Sequence, residues 1–358
     1  MANYFSSSFT LGILGGGQLG KMLLYETRKY DIATRVLDPS DQAPCRIACN
    51  DFQQGDLMDY QTVLDFGRKV DLLTFEIEGV NVDALETLER EGKKVYPSSH
   101  TLRHIQNKGI QKEFYRDNHI PTASFHRFES LQALRTAIKE DRVRLPFVWK
   151  SCVGGYDGMG VSIVKDLSRL DQLADVPCIA EDLIPFKNEL AVIVARSPQG
   201  ELTTYPVVEM EFHPEANQVE YVLCPARIDD EVAEKARNVA KQVSQALSHV
   251  GLLAVELFQT EDDQILVNEV APRPHNSGHY SIEASYTNQF EQHLRAILDL
   301  PLGKTDSKVG VLWSTWWEPK VIPARWSTKI LRRSWPWKGL LRISTVKVKP
   351  DLFEKWDT

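Results

Sequence analysis

Lys150 closes the apolar run PFVWK, and the string VGGYDGMGV follows at once. Glycines at 154, 155, 158 and 160 make a loop whose backbone N–H groups can wrap phosphates, with Lys150 adding point charge. A merely flexible hairpin is the competing use of such a loop. Further on, Val250–His279 holds two apolar runs, Leu252–Phe258 and Ile265–Val270, around the polar Gln259–Gln264, which reads as an antiparallel hairpin. A regular ladder centred on Asp262 and Asp263 sets Glu256 opposite Glu269 and Leu257 opposite Asn268. Facing carboxylates repel, and carboxylates in apolar runs cost more still unless something compensates. A divalent cation compensates well, and magnesium prefers carboxylate and phosphate oxygens. A register slip turning one glutamate to solvent is the alternative. Beyond Asn268 and Glu269, the string APRPHNSGH gathers Arg273, His275, Asn276, Ser277 and His279 into a loop suited to anions.

Regular elements must carry these groups. Residues 11–38 read as strand, glycine turn, helix and strand, and Gly15, Gly17 and Gly20 match GxGxxG. That pattern leaves helix N–H groups for a phosphate, with Asp38 near a ribose. It serves equally as a structural turn or in a nicotinamide site. DLLTFE and Lys94–Tyr96 extend this into an open parallel sheet ending near residue 100. Glu76 and Glu78 fall at its carboxyl edge, where such sheets place ligands. The stretch LRHIQNKGIQKEFYRDN reads as one helix, ended before Ile120-Pro121. IAEDLIPFKNEL brings Glu181 and Glu189 around an apolar run, where a carboxylate can accept from an adenine amino group or ribose hydroxyls. Arg227–Val250 and Phe290–Leu298 have helical periodicity.

Composition narrows the class. The 358 residues suffice for two or three domains, and a net charge of -7 argues against nucleic-acid binding by bulk electrostatics. No apolar run reaches the length of a membrane span, and MANYFSSSFT lacks a signal-peptide layout. Five cysteines form no CxxC pair, Cys45 and Cys49 make only a weak zinc case, and the expected compartment is the reducing cytoplasm.

A strand-end lysine, a glycine loop, a glutamate pair and a hairpin with opposed carboxylates together resemble the ATP-grasp superfamily. GILGGGQLGKM, TFEIEGVNVDAL, GGYDGMG and above all NEVAPRPHNSGH are similar to the 5-(carboxyamino)imidazole ribonucleotide synthases, over roughly residues 10–304. The resemblance implies an α/β ATP-grasp fold: an N-terminal open parallel α/β domain over 1–103, a two-lobed α+β ATP-grasp core over 104–303, and a degenerate region over 304–358. It assigns Lys150 and the loop Gly155, Tyr156, Asp157, Gly158, Met159, Gly160 and Val161 to ATP phosphates. Glu181, Asp182, Leu183, Ile184 and Glu189, with His213, go to adenine and ribose. Lys108, Asn268 and Glu269 also meet ATP, and Glu256 and Glu269 bind magnesium. Gly15, Gly17, Gln18, Leu19, Glu76, Tyr156, Asp157, Arg273, His275, Asn276 and Ser277 meet the aminoimidazole ribonucleotide, with Lys150 and Arg273 as catalytic groups. Bicarbonate, ATP and that ribonucleotide are the implied substrates, and a homodimer is the implied assembly.

The chain departs from the family pattern at Met159, where the loop usually carries lysine, and at Lys108, which replaces an arginine and loses its bidentate geometry. The larger departure follows Leu302-Gly303: seven of eight tryptophans lie between Trp313 and Trp356. Tryptophan has one codon, TGG, so read from the third base Trp316-Trp317 must give Val and Trp317-Glu318 must give Gly. With permitted codons, 312–318 becomes Met-Val-Asn-Leu-Val-Gly and 318–328 Thr-Glu-Gly-Tyr-Thr-Gly-Pro-Val-Val-Tyr. The end, 350–358, becomes Arg-Pro-Phe-Arg-Lys-Met-Gly-His. These strings resemble the family's carboxy-terminal domain in order, so the tail reads as frameshifted from between Gly303 and about residue 313. Displaced tryptophans are then expected to lie exposed. The alternatives are another ATP-grasp carboxylate–amine ligase, an inactive ATP-binding remnant, and a nicotinamide oxidoreductase resting on the glycine motif alone.

Overall fold

The structure is a computed structural model and describes residues 4, 8–154, 160–212, 219–316 and 341–346. Its first sheet is parallel, in the order β3-β2-β1-β4-β5, from β1 (Thr10–Leu14), β2 (Ala33–Asp38), β3 (Asp51–Gln54), β4 (Leu72–Phe75) and β5 (Lys94–Val95). Every residue of β4 and all but the first of β1 are buried. Continuous apolar runs of this kind suit central strands covered on both faces. Helices α1 (Gln18–Arg28), α2 (Tyr60–Gly67) and α3 (Val82–Arg90) connect them, the last two capped by Asp59 and Asn81.

The single helix expected over 102–118 is in fact two, α4 (Ser99–Gln106) and α5 (Lys108–Asp117). Asn107 is extended (φ -125°, ψ 107°), and its side chain accepts from the Ile110 N–H, so it ends one helix and caps the next. Periodicity runs through such a break because both halves bury the same kind of face. The break makes Lys108 the first residue of α5 and aims it, with Lys112 one turn later, toward the rest of the core.

A four-stranded antiparallel sheet follows, β6-β9-β7-β8, from β6 (Phe125–Phe128), β7 (Phe147–Ser151), β8 (Val161–Val164) and β9 (Cys178–Asp182), backed by α6 (Leu131–Lys139). The largest sheet is eight-stranded: β10 (Phe186–Arg196), β11 (Leu202–Thr204), β12 (Val208–Phe212), β13 (Val219–Cys224), β14 (Gly251–Thr260), β15 (Ile265–Ala271), β16 (Val311–Trp316) and β17 (Leu341–Val346). One face, including Leu190, Val192, Leu253 and Val255, packs on α7 (Asp230–Ala246). The other, including Ala191, Ile193, Leu252 and Ala254, meets the segment around α8 (Ser281–Ala284).

Helix α9 (Gln289–Ile297) joins the two halves of the molecule. Its Phe290, Leu294 and Ile297 enter the core of the first sheet with Leu11, Leu23 and Val36. His293 accepts from Leu252 N–H at Nδ1 (3.1 Å), so its Nε2 carries the proton donated to Thr74 Oγ1 (2.9 Å). Burial pushes His293 and His249 each down to about 3. Both are neutral in the fold and gain protons on unfolding, so their contribution is fully present above 6.5 and is lost as pH falls toward 3. Stability, and with it melting temperature, is expected to fall as pH drops below 6.5, with a shallower slope for His293→Gln.

Trp313 is corrected by the structure. It stands on β16, which pairs antiparallel with β13, and it is 1% exposed, edge-on to His279. Only its indole N–H lacks a hydrogen-bond partner. An apolar slot beside β13 accepts a large side chain whatever its origin, which composition alone could not reveal. The other six tail tryptophans lie outside the described side chains.

Candidate functional site

The opposed carboxylates are present, by a route the regular ladder did not anticipate. Glu256 pairs with Glu269, but Leu257 pairs with Val267, so Asn268 is an extra residue in a bulge. Toward the turn the register is one residue off the expected one, because the connection is Glu261–Gln264 with Asp263 at φ 60° and Thr260 N–H on Gln264 O. The bulge restores the expected pairing from Glu256 onward. It also lets Asn268 and Glu269 serve the same side: Asn268 Oδ1 accepts from Lys150 Nζ (3.1 Å) and Glu269 pairs with Lys108.

Glu189 joins them from β10, two residues before Ala191, which pairs with Glu256. Burial raises Glu189 to about 7. Glu256 rises to about 8, first through burial and then through Glu269 and Glu189, while Lys108 and Lys150 pull the other way. A crowded set of hard oxygen donors that resists ionisation is chemically suited to a magnesium ion, so the residues fit the group. Among the described residues no group of three or more His, Cys, Asp or Glu is arranged to hold a metal alone, so a magnesium ion here would need further ligands from a bound molecule or water.

On the facing sheet, Lys150 near the end of β7 reaches Glu181 of β9 at 2.9 Å, and Lys112 of α5 reaches the other oxygen at 3.1 Å. Burial alone would lift Glu181, but the two lysines outweigh it and hold it below the ordinary range. Lys112, 2% exposed, is pushed by burial down to about 8 and also donates to Thr122 Oγ1 at 2.5 Å. Lys112 went unremarked in the sequence; its place four residues after Lys108 was the available signal. In the ligand-free structure both Glu181 oxygens face lysines, the partners that any adenine or ribose contact there would share. Asp182, Leu183 and Ile184 stand at this edge, where β9 ends and the chain leads to β10.

The glycine turn takes the structural one of the uses its motif allows. Gly15 N–H donates to Leu37 O (2.9 Å), Gly16 to Asp38 (2.6 Å), and Gly17 and Gly20 to Glu76 (2.7 and 3.0 Å). These four amides are engaged by the protein itself, so the turn gives the nicotinamide reading no support. Gly15 has φ +92°, and a Cβ there would lie 2.8 Å from Glu76 Cγ, so the position requires glycine. Burial raises Glu76, against the two amide hydrogen bonds. Gln18 and Leu19 open α1 beside this turn.

Across from it, Arg273 Nε lies 2.8 Å from Glu78, tying the APRPHNSGH loop to the parallel sheet. His275 Nδ1 meets Ser277 Oγ (2.9 Å) and accepts from Ser277 N–H (3.3 Å), leaving Nε2 toward Glu256 at 3.6 Å. Asn276 and Ser277 form one short 3-10 turn. Gly160 (φ 75°) and Val161 lead into β8, with Ser151 N–H on Gly160 O. Gly155, Tyr156, Asp157, Gly158, Met159 and His213 lie outside the described residues.

Comparisons with known proteins follow this geometry. Residues 9–106 match the ribonucleotide synthetase preATP-grasp domain and residues 113–290 the ATP-grasp domain. The N5-carboxyaminoimidazole ribonucleotide synthase of Bacillus subtilis is 38% identical over 300 residues, 83% of this chain and 78% of that protein. The chain belongs to the N5-carboxyaminoimidazole ribonucleotide synthase family. The phosphoribosylaminoimidazole carboxylase of Saccharomyces cerevisiae is 40% identical over 306 residues, 83% of this chain; the chain spans 53% of that longer protein. The Thermotoga maritima synthetase structure superposes with a TM-score of 0.77 at 38% identity, covering 85% of this chain and 79% of the other. The Aspergillus clavatus synthase in complex with ADP and 5-aminoimidazole ribonucleotide gives 0.78 at 35% identity, over 85% and 80%. Membership in the synthase family accounts for the pairing of a parallel sheet with an ATP-grasp core.

Proposed function

We propose that this chain uses ATP and bicarbonate to carboxylate 5-aminoimidazole ribonucleotide to its N5-carboxyamino product, with release of ADP and phosphate. The observation that carries the reading is the convergence of Lys150, Lys108 and the Glu256–Glu269 pair on one cleft, with Arg273 and His275 at its far side. Bicarbonate oxygen attacks the γ-phosphorus and the bond to the ADP oxygen breaks, giving carboxyphosphate. The exocyclic amine of the ribonucleotide then takes the carboxyl carbon, and phosphate leaves.

Positioning and charge are what such a transfer asks of the protein. Lys150 neutralises the transferring phosphoryl group, and Glu256 and Glu269 would hold magnesium, which when bound spreads the same charge. Arg273, fixed by Glu78, offers its guanidinium to the carboxyl being delivered. Exclusion of water on substrate binding would protect the labile intermediate. The setting is cytoplasmic, in keeping with five free cysteines, and the assembly a homodimer. An ADP-release assay tests the function: turnover must require both bicarbonate and aminoimidazole ribonucleotide. ATP consumption indifferent to both substrates would refute it, and sedimentation reads the assembly.

The tail bears on how well the reaction runs. The alternate frame ends in a basic string able to grip a phosphate, whereas this chain has Asp351, Glu354 and Asp357 there. Each lost charge-assisted contact costs roughly 1.5–3 kcal/mol. A single-base correction before codon 313 is therefore expected to lower KM for the ribonucleotide by an order of magnitude or more, leaving ATP affinity unchanged. Equal turnover and substrate affinity in the two proteins would show that the tail works as written.

A further inference from the structure

Two glutamines of α9 make the same unusual contact. Gln292 donates from Nε2 to Gly303 O (3.0 Å) and accepts at Oε1 from Gly303 N–H (2.8 Å), so one side-chain amide pairs with both polar groups of one residue. Gln289, three residues earlier, does likewise to His275: Nε2 to its carbonyl and Oε1 from its N–H, both 2.8 Å. Both glutamines are fully buried. Their clamps differ in what they hold, since Gly303 packs against Thr287 whereas His275 reaches Glu256.

The knot around Gln289 is tight. Its Nε2 also meets His279 Nδ1 at 3.1 Å, and its N–H donates to Ser281 Oγ at 3.0 Å. A Cβ on Gly278 would lie 2.5 Å from Gln289 Oε1, so the loop passes as close to this amide as a backbone can. One turn further along α9, His293 bonds Thr74, two residues before Glu76 and four before Glu78, the partner of Arg273. The helix therefore fixes both sides of the ribonucleotide half of the cleft from a single rigid element.

We propose that Gln289 is a positioning residue for the ribonucleotide: its carboxamide holds the His275 peptide and sets where Arg273, His275 and Ser277 stand relative to the carboxylates of β14 and β15. The inference rests on the function proposed above. It touches no reacting atom, and its effect is on substrate affinity and alignment. Placement errors near one ångström can cost about a hundredfold, which sets the scale.

The test compares Gln289→Met with Gln292→Met. Each removes one amide clamp of like geometry and burial, so both should lower melting temperature, Gln289→Met somewhat more because it also loses the His279 contact. Only Gln289→Met should raise KM for aminoimidazole ribonucleotide, by roughly tenfold or more, with ATP affinity measured without the ribonucleotide within about twofold of the parent. Gln289→Glu keeps the acceptor for His275 N–H but sets a carboxylate against its carbonyl, and should fall on the same side. Equal KM changes in the Gln289 and Gln292 variants, or none in either, would overturn the proposal. Hydrogen exchange on the unmodified protein adds a test independent of variants and turnover: the His275 amide should be strongly protected without ligands. Fast exchange there removes the clamp, whereas protection in a protein that fails to turn over counts against the proposed function and leaves the clamp standing.

Discussion

Lys150→Ala is expected to lose ATP affinity by roughly ten- to a hundredfold while adenosine affinity stays nearly constant, because one charge-assisted contact is worth about 1.5–3 kcal/mol. The fold should survive the change. Glu181 is buried, and a buried carboxylate stripped of all partners would cost about 3–5 kcal/mol. It keeps Lys112 at 3.1 Å, however, so the lost lysine leaves no orphaned charge. Calorimetry with ATP, ADP and adenosine reads the phosphate dependence directly, and circular dichroism checks the fold. Equal losses for all three ligands would place the lysine away from the phosphates. Glu181→Ala provides the contrast: two lysines lose their shared partner, and stability rather than selectivity should collapse.

The second large effect is at the hairpin. Glu256→Gln and Glu269→Gln are each expected to weaken magnesium-dependent ATP binding by at least roughly tenfold, since hard cations favour anionic oxygen over a neutral amide. The two should part company in the ligand-free protein. Glu256 is raised from its ordinary 4.5 to about 8, so its folded form favours the proton. That contribution is fully present below 4.5 and is lost as pH rises through about 8. Glu256→Gln makes the neutral form permanent and should raise the melting temperature at pH 8, with little effect at pH 5. Glu269→Gln instead strips Lys108 of its carboxylate and should lower it. Unchanged magnesium–ATP affinity in both variants would remove the metal assignment.

Much of this was legible in the residues themselves. Continuous apolar runs gave the parallel sheet, and the spacing of the hairpin brought Glu256 against Glu269 despite an incorrect register near the turn. The bulge at Asn268 was hidden because it depends on how Glu261–Gln264 closes, which alternation does not encode. The division between α4 and α5 was hidden for a related reason: an asparagine cap mid-stretch leaves the hydrophobic period intact. Lys112 and Gln289 were overlooked because each acts through groups distant in sequence, Glu181 and His275. Burial of Trp313 lay beyond composition, since it depends on β16 pairing with β13, which residue counts do not encode.

The lysines around the cleft have a consequence for what can enter it. Lys108, Lys112 and Lys150 stand against Glu181, Glu189, Glu256 and Glu269, and Glu256 readily holds a proton. The ligand-free cleft is therefore close to electroneutral among these groups. A bare triphosphate would bring an excess of negative charge to the carboxylates, and a bare divalent ion would be repelled by Lys108 from the oxygen it needs. Their chelate carries less negative charge than the triphosphate alone and, on the assignments proposed above, would present metal to the hairpin and phosphates to the lysines. On those assignments the cleft would discriminate by stoichiometry, admitting cation and nucleotide most readily as one particle.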